Sequence, residues 1–455
     1  MQRTVSIIGG GGVRTPLLIH GLLRAQALLN IKGLRLFDVD SGRAELMASL
    51  GREIASSQRV AVRIGSFDSV ERAVEGCDFV LSSLRIGGMA ARARDERIAI
   101  DEGLAGQETT GPGGVAMALR TVPVALEHGR IVERLAPDAW FINFTNPAGL
   151  ITQALLQHTE LKVIGICDTP AELFHRIAHV LDEPPSEVHC DYAGLNHLGW
   201  VRRVTVRGQD VTGNLLENEN ALRELYHTDL FDPKLISTLQ LIPSEYLFFY
   251  YSQRKAYRNQ LKAGATRGEE LMRLNTELFS QLRSEAPREA LATYRRYLEQ
   301  RNASYLKLEA NAGTAFQKIE KEPDPFDSPT GYHKIAVEVM SGLVSDEPRT
   351  VVVNVRNKKS IEDLQTEDVV EVPCEISSQG VTPSNAGKLP ESVKGLVLAV
   401  KAYERTAIRA VTEKSWDLAQ LAMLEYPLIG QWEIAKSLRE AWVRCDQPNL
   451  GYMGK

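Results

Sequence analysis

The chain alternates between short apolar or β-branched runs and longer stretches with helical spacing. TVSII (4–8), LRLFDV (34–39), VAVRIG (60–65), DFVLSSL (78–84), AWFINFT (139–145) and KVIGI (162–166) have the length and composition of strands. Between them, TPLLIHGLLRAQALL (15–29) and AELFHRIAHVL (171–181) return apolar residues every third or fourth position, as helices do. Strands alternating with helices form βαβ units. Six such strands predict a Rossmann-type doubly wound parallel sheet, with ligand at the carboxyl ends of its strands. From about Asp168 onward the pattern changes. Long helical stretches (Asn220 to Tyr226, Gly268 to Leu282, Val393 to Arg409) mix with the strand runs RTVVVNV and VVEVPCEI, which predicts an α+β domain packed against the first. The division expected is 1–195 for the sheet domain and 196–455 for the catalytic, substrate and oligomerisation domain.

Composition narrows the class. A chain of 455 residues is too long for one ordinary core. With 44% hydrophobic and 24% charged residues it has the balance of a globular protein rather than a disordered one. The net charge is -5 and no segment concentrates Lys or Arg among aromatics, so no nucleic-acid footprint is expected. No run of 18 apolar residues predicts a membrane span, and MQRTVSIIGG lacks the pattern of a secretory leader. A cytoplasmic protein is expected. Cys77, Cys167, Cys190, Cys374 and Cys445 are scattered and odd in number, which suits reduced thiols better than a disulfide framework.

The candidate chemistry starts at the first turn. Gly9, Gly10, Gly11 and Gly12 let the backbone approach a pyrophosphate, Thr15 is expected to N-cap the following helix, and Pro16 suits its first turn. Asp38, at the end of the second strand, supplies an acid for a ribose hydroxyl. The run departs from GxGxxG because Val13, Arg14 and Thr15 follow the glycines. Cys167 falls where the sixth strand ends, and His197 follows in GLNHLGW. A thiolate and an imidazole can hold a divalent metal, although a buried cysteine and a satisfied core histidine are the commoner reading. Tyr246, Tyr250 and Tyr251 read first as core aromatics, since a tyrosine needs a nearby cation or metal to act as a base near neutrality. GQETTGPGG (106–114) is a glycine-rich loop carrying Glu108, either functional or plain surface. Arg85, Arg92, Arg94 and Arg97 follow the fourth strand, where an arginine can grip an anion, though most helix-face arginines are simply solvated.

Taken in order, these segments resemble glycoside hydrolase family 4, the NAD-dependent glycosidases, and most of all its 6-phospho-β-glucosidase branch. The resemblance runs through the glycine turn with TP, LRIGG…R…DER, GLAGQETTGPGG, WFINFTNPAG, IGICDTP, GLNHLGW, PSEYLFFYY, ATRGEEL and VVEVPC. It implies NAD+ and a divalent metal, usually Mn2+, as cofactors. It places the metal ligands on Cys167 and His197, the base on Tyr246, substrate contacts on Arg92, Asn146 and Arg267, and a proton donor on Asp168. The chemistry implied is oxidation of the sugar at C3, removal of the C2 proton, elimination of the aglycone, addition of water and return of the hydride. A small-molecule (phospho)glycoside is the implied partner, and a homodimer or homotetramer the implied assembly. Three positions depart from the pattern: Gly12 stands where a serine is usual, Asp168 where the β-glucosidase branch has asparagine, and QRNASYLKLEA from Gln300 where an arginine with two glycines and tyrosines is usual.

Within the family the alternatives are a 6-phospho-α-glucosidase, whose pattern Asp168 resembles, or a glycosidase of non-phosphorylated sugars. The competing enzyme reading of another kind is an NAD-dependent dehydrogenase of the lactate/malate type, whose two-domain architecture the chain is expected to share. It leaves Cys167 and Tyr246 without a task and would accumulate NADH. A non-catalytic NAD- or sugar-sensing protein is the alternative of another class, and would require a lost metal or base position.

Overall fold

The computed structural model describes residues 2–226, 230–303 and 324–454. Six parallel strands, β1 (Arg3–Ile8), β2 (Ile31–Phe37), β3 (Arg63–Phe67), β4 (Phe79–Ser82), β5 (Trp140–Asn143) and β6 (Lys162–Gly165), lie in the order β3-β2-β1-β4-β5-β6. This is the doubly wound Rossmann arrangement expected from the strand–helix alternation. The side chains of β1, β4, β5 and β6 are mostly buried because helices cover both faces, while β2 and β3, toward the sheet's edge, are partly exposed. Val5, Ile7, Val80, Leu81, Phe141 and Ile142 are fully enclosed.

The second half joins the first through the sheet itself. β7 (Val188–Leu195) and β8 (Leu198–Val206) form a hairpin, and β9 (Gln209–Asp210) and β10 (Ile242–Pro243) pair with β8. β11 (Arg349–Arg356) and β12 (Val369–Ser377) pair antiparallel, and β13 (Gly380–Pro383) adds to β12. β11 meets β6 at Asn354 and Gly165, and β12 meets β7 at Glu371 and Gly194, so one sheet runs through the whole molecule. The two halves expected to pack against each other are joined here edge to edge. Hydrophobic periodicity marks a strand but does not name its partner.

Several boundaries move. The helix expected over 15–29 is Thr15–Arg24 followed by a separate turn, Gln26–Leu29. Thr15 is its first helical residue rather than its cap. Arg14 occupies the N-cap with no side-chain capping hydrogen bond, and Thr15 is buried instead. β3 starts at Arg63, three residues into VAVRIG. The second-half helices, Arg267–Leu282 and Glu391–Thr412, fall close to their expected positions. The first begins with a full capping box, Thr266 accepting from the Glu269 N–H while Glu269 accepts from the Thr266 N–H. Of QRNASYLKLEA, the stretch from Ser304 lies outside the described residues.

Candidate active site

The carboxyl ends of the parallel strands converge on one edge. β1 runs into the glycine turn, where Gly9 has φ of +83° and a Cβ on it would collide with the Ser83 carbonyl after β4. Only glycine fits there. Gly11 donates its N–H to Asp38 Oδ2 at 3.0 Å, and Asp40 donates to Oδ1 at 3.0 Å. Burial raises the Asp38 carboxyl while these two N–H groups pull it down. Asp38 therefore both fixes the turn and faces the edge where a ribose would lie. The cradle fits a dinucleotide, with the N-terminus of helix Thr15–Arg24 behind it.

Cys167 and Asp168 follow β6 after one residue, Ile166. The Cys167 Sγ lies 3.5 Å from His197 Nε2, and Thr109 Oγ1 lies 3.0 Å from His197 Nδ1. Thr109 therefore fixes the ring so that Nε2 faces the sulfur. Burial holds the imidazole down to about 4, so it is neutral and free to ligate. Burial, with Glu371 and Asp168 nearby, pushes the Cys167 thiol well above its usual value, so a thiolate here requires a cation. Among the described residues no three His, Cys, Asp or Glu side chains gather into a metal cage. One sulfur and one nitrogen fit a transition metal whose other positions are left to substrate oxygens and water.

His197 sits in the two-residue turn of the β7–β8 hairpin, between Leu195 and Leu198, with φ of +61°. A histidine in that left-handed region costs on the order of 1 kcal/mol and needs support. Glu371 of β12 supplies it. That buried carboxylate accepts from Asn196 Nδ2 at 3.0 Å, from Asn354 Nδ2 at 3.0 Å and from the Tyr192 hydroxyl at 2.8 Å. The continuous sheet thus holds the turn that carries His197.

Tyr246 lies in the short 3-10 turn Glu245–Leu247, its ring stacked on His197 with centroids 3.6 Å apart. Tyr250 and Tyr251 keep their bland reading. The Tyr250 hydroxyl pairs with that of Tyr426 at 3.0 Å, and Tyr251 accepts from Trp200 Nε1 at 3.2 Å.

The arginines separate into kinds. Buried Arg92 pairs with Glu96 at 2.8 Å and Glu108 at 2.7 Å, and lies within electrostatic reach of Tyr246. Arg85 pairs with Glu108 at 2.5 Å, Arg94 with Asp446 at 2.9 Å and Arg97 with Glu269 at 2.7 Å. Glu108 is therefore no surface residue. Burial alone would raise its carboxyl, but Arg85 and Arg92 override that and bring it to about 2. Arg267 opens its helix, pairs with Glu270 at 2.7 Å and donates to the Arg301 carbonyl at 2.8 Å. Asn146 is half-buried three residues beyond β5, on the same edge as Cys167.

Sequence reasoning passed over four contributors. Arg14 lies 3.5 Å from Asp168 and over the Tyr332 ring, at the position where the glycine run departs from GxGxxG. Arg301 is held down to about 10 by burial and by Arg14, Arg267 and Arg92, so four guanidiniums share one electrostatic neighbourhood. Thr109 and Glu371 lay inside quoted motifs, but nothing local revealed their partners.

A Rossmann cradle whose outer edge carries a cysteine–histidine pair and a stacked tyrosine is the arrangement of a dinucleotide-dependent enzyme with a candidate metal site. The chain matches the family model "Family 4 glycosyl hydrolase" over residues 4–183 and "Family 4 glycosyl hydrolase C-terminal domain" over 192–429. It belongs to that family and is a glycoside hydrolase. A probable 6-phospho-beta-glucosidase of Bacillus subtilis is 31% identical, covering 97% of this chain and 96% of its own. The solved 6-phospho-beta glucosidase of Thermotoga maritima, with NAD and glucose-6-phosphate, is 29% identical with a TM-score of 0.84, covering 99% of each chain. A solved 6-phospho-alpha-glucosidase from gut microorganisms, also with NAD and glucose-6-phosphate, is 25% identical with a TM-score of 0.82, covering 99% of each.

Proposed function

We propose that the protein hydrolyses 6-phospho-β-glucosides by an oxidation–elimination route at a site built from Cys167, His197, Tyr246 and the surrounding arginines. The observation that carries this is the meeting of the Cys167–His197 pair with the stacked Tyr246 at the mouth of the dinucleotide cradle. When bound, NAD+ supplies the hydride acceptor and donor for C3, and a divalent metal, Mn2+, supplies a Lewis acid for the C2 and C3 oxygens. Gly9, Gly10, Gly11, Gly12 and Asp38 bind the dinucleotide, while Cys167 and His197 hold the metal. Arg92, Asn146 and Arg267 orient the sugar. The cationic neighbourhood of Arg14, Arg92, Arg267 and Arg301 suits an anionic substrate such as a sugar phosphate. Tyr246 takes the C2 proton, helped by the positive field of Arg92. Asp168 gives a proton to the departing glycosidic oxygen. The β preference follows the similarity to the Bacillus subtilis and Thermotoga maritima proteins.

The dinucleotide domain of this reading spans 1–195 and the catalytic and oligomerisation domain 196–455. Among the described residues no helix is long and apolar enough to cross a membrane. We place the enzyme in the cytoplasm, as a homodimer or homotetramer acting on small glycosides without nucleic acid or membrane. A panel of nitrophenyl α- and β-glucosides, with and without a 6-phosphate, tests the assignment in the presence of NAD+, Mn2+ and a mild reductant. Turnover confined to the 6-phospho-β member without net NADH is expected. NADH accumulating in step with released nitrophenol would replace the glycosidase with a dehydrogenase.

A further inference from the structure

Glu96 is completely buried on the helix Gly88–Asp101, and its two oxygens serve two different elements. Oε1 accepts from Arg92 Nε at 2.8 Å, one turn earlier on the same helix. Oε2 accepts the backbone N–H of Gly268 at 2.6 Å, in the first turn of helix Arg267–Leu282 and next to Arg267. A carboxylate taken wholly out of water is costly unless a cation and good hydrogen bonds repay it. Here both oxygens are engaged, one by a guanidinium and one at a helix N-terminus where negative charge is favoured. The two helices approach closely around this contact. A Cβ on Gly268 would lie 2.8 Å from Glu96 Oε2 and 2.9 Å from Ala93 Cα, so the glycine is what lets the carboxylate reach the backbone.

We propose that Glu96 is a positioning residue that sets Arg92 and Arg267 at a fixed separation, so that an anionic sugar meets both guanidiniums at once. It rests on the reading of Arg92 and Arg267 as substrate contacts. On the other edge of the Arg92 guanidinium, Nη1 pairs with Glu108 at 2.7 Å, so the fork is held from both sides. Arg267 is tethered to Glu270 and to the Arg301 carbonyl, and the Glu96–Gly268 bond ties that whole group to Arg92. Two other roles predict different signs. A simple charge neutraliser, once removed, would leave a more positive site and tighten binding of an anion. A purely structural acid would lower thermal stability without separating KM from kcat.

The test uses Glu96→Gln in the NAD+- and Mn2+-loaded enzyme, with Arg92→Ala and Arg267→Ala alongside. For nitrophenyl 6-phospho-β-glucoside, Glu96→Gln is expected to raise KM about tenfold while kcat changes less than about threefold, because misplaced contacts lose their shared grip on the substrate. Binding of glucose 6-phosphate by calorimetry should weaken alike, NAD+ binding should hold, and the effect should be less than multiplicative with Arg92→Ala. An unchanged or lowered KM in Glu96→Gln, beside a raised KM in Arg92→Ala and Arg267→Ala, overturns the positioning role and leaves the substrate contacts standing. An unchanged KM in all three removes the contacts and the positioning role together. If Glu96→Gln fails to fold, Gly268→Ala keeps the carboxylate but pushes the helices apart. A raised KM is expected there too, and an unchanged one overturns the inference.

Discussion

His197 and Tyr246 lie face to face, their ring centroids 3.6 Å apart and their planes within 5° of parallel. The stack joins a candidate metal ligand to a candidate base, so whatever fixes the imidazole also fixes the phenol. Thr109 holds the imidazole from one side, and Glu371, through Asn196, holds the turn that carries it.

Tyr246→Phe keeps the ring, and with it the stack, but removes the hydroxyl proposed to take the proton. Exchange of the C2 hydrogen with deuterated solvent should slow by about 100-fold or more, the usual scale for loss of a general base. Thermal stability and Mn2+ affinity should hold. Unaltered exchange would move the base to another residue.

Cys167→Ser exchanges a soft sulfur for a poor hydroxyl ligand while preserving shape. Mn2+ titration should show affinity weakened by at least about tenfold, and excess Mn2+ should recover part of the rate. Chelator should reproduce the loss in the wild type. Full activity in protein shown to be metal-free would remove Cys167 and His197 from the mechanism.

The six strands β1 to β6 as elements, the glycine turn and the position of Cys167 just past β6 were legible because each is a local signal: a period, a run or a strand end. What escaped depends on approach between distant segments. Asn354 pairs with Gly165 and Glu371 with Gly194 across long stretches of chain, and both strands read only as generic apolar runs. Thr109 against His197 and Glu96 against Gly268 are likewise contacts that no spacing encodes. Arg14 was visible only as one of the three residues, with Val13 and Thr15, by which the run departs from GxGxxG. Its place beside Asp168 emerges only once β1 and β6 share a sheet edge.

Glu108 should make stability depend on pH in the acid range. Arg85 and Arg92 outweigh burial and depress its carboxyl to about 2, below the unfolded value, so the stabilisation is complete above the unfolded pKa and is lost as pH falls toward 2. Its full size is about 3 kcal/mol. Glu108→Gln should therefore be less stable than wild type near neutrality, with the gap in calorimetric Tm narrowing below about pH 4. A gap that stays constant with pH would mean that the ion pairs with Arg85 and Arg92 contribute little.

Asp168 stands at the N-cap of helix Thr169–Val180 without capping it, and its carboxylate points instead to Arg14, 3.5 Å away. A carboxylate that forgoes an available cap at the edge of the site is placed for something other than helix stability. If it protonates the departing oxygen, Asp168→Asn should slow glycosides of alkyl alcohols far more than nitrophenyl glycosides, whose phenolate leaves unaided, and a separation of about 100-fold or more is expected. If it serves only to orient the metal ligands or a sugar hydroxyl, both substrates should lose rate alike. Arg14→Gln divides the readings further. Removing the partner should slow alkyl glycosides more than nitrophenyl glycosides if Asp168 carries the proton, and should slow both alike if Asp168 only orients its neighbours.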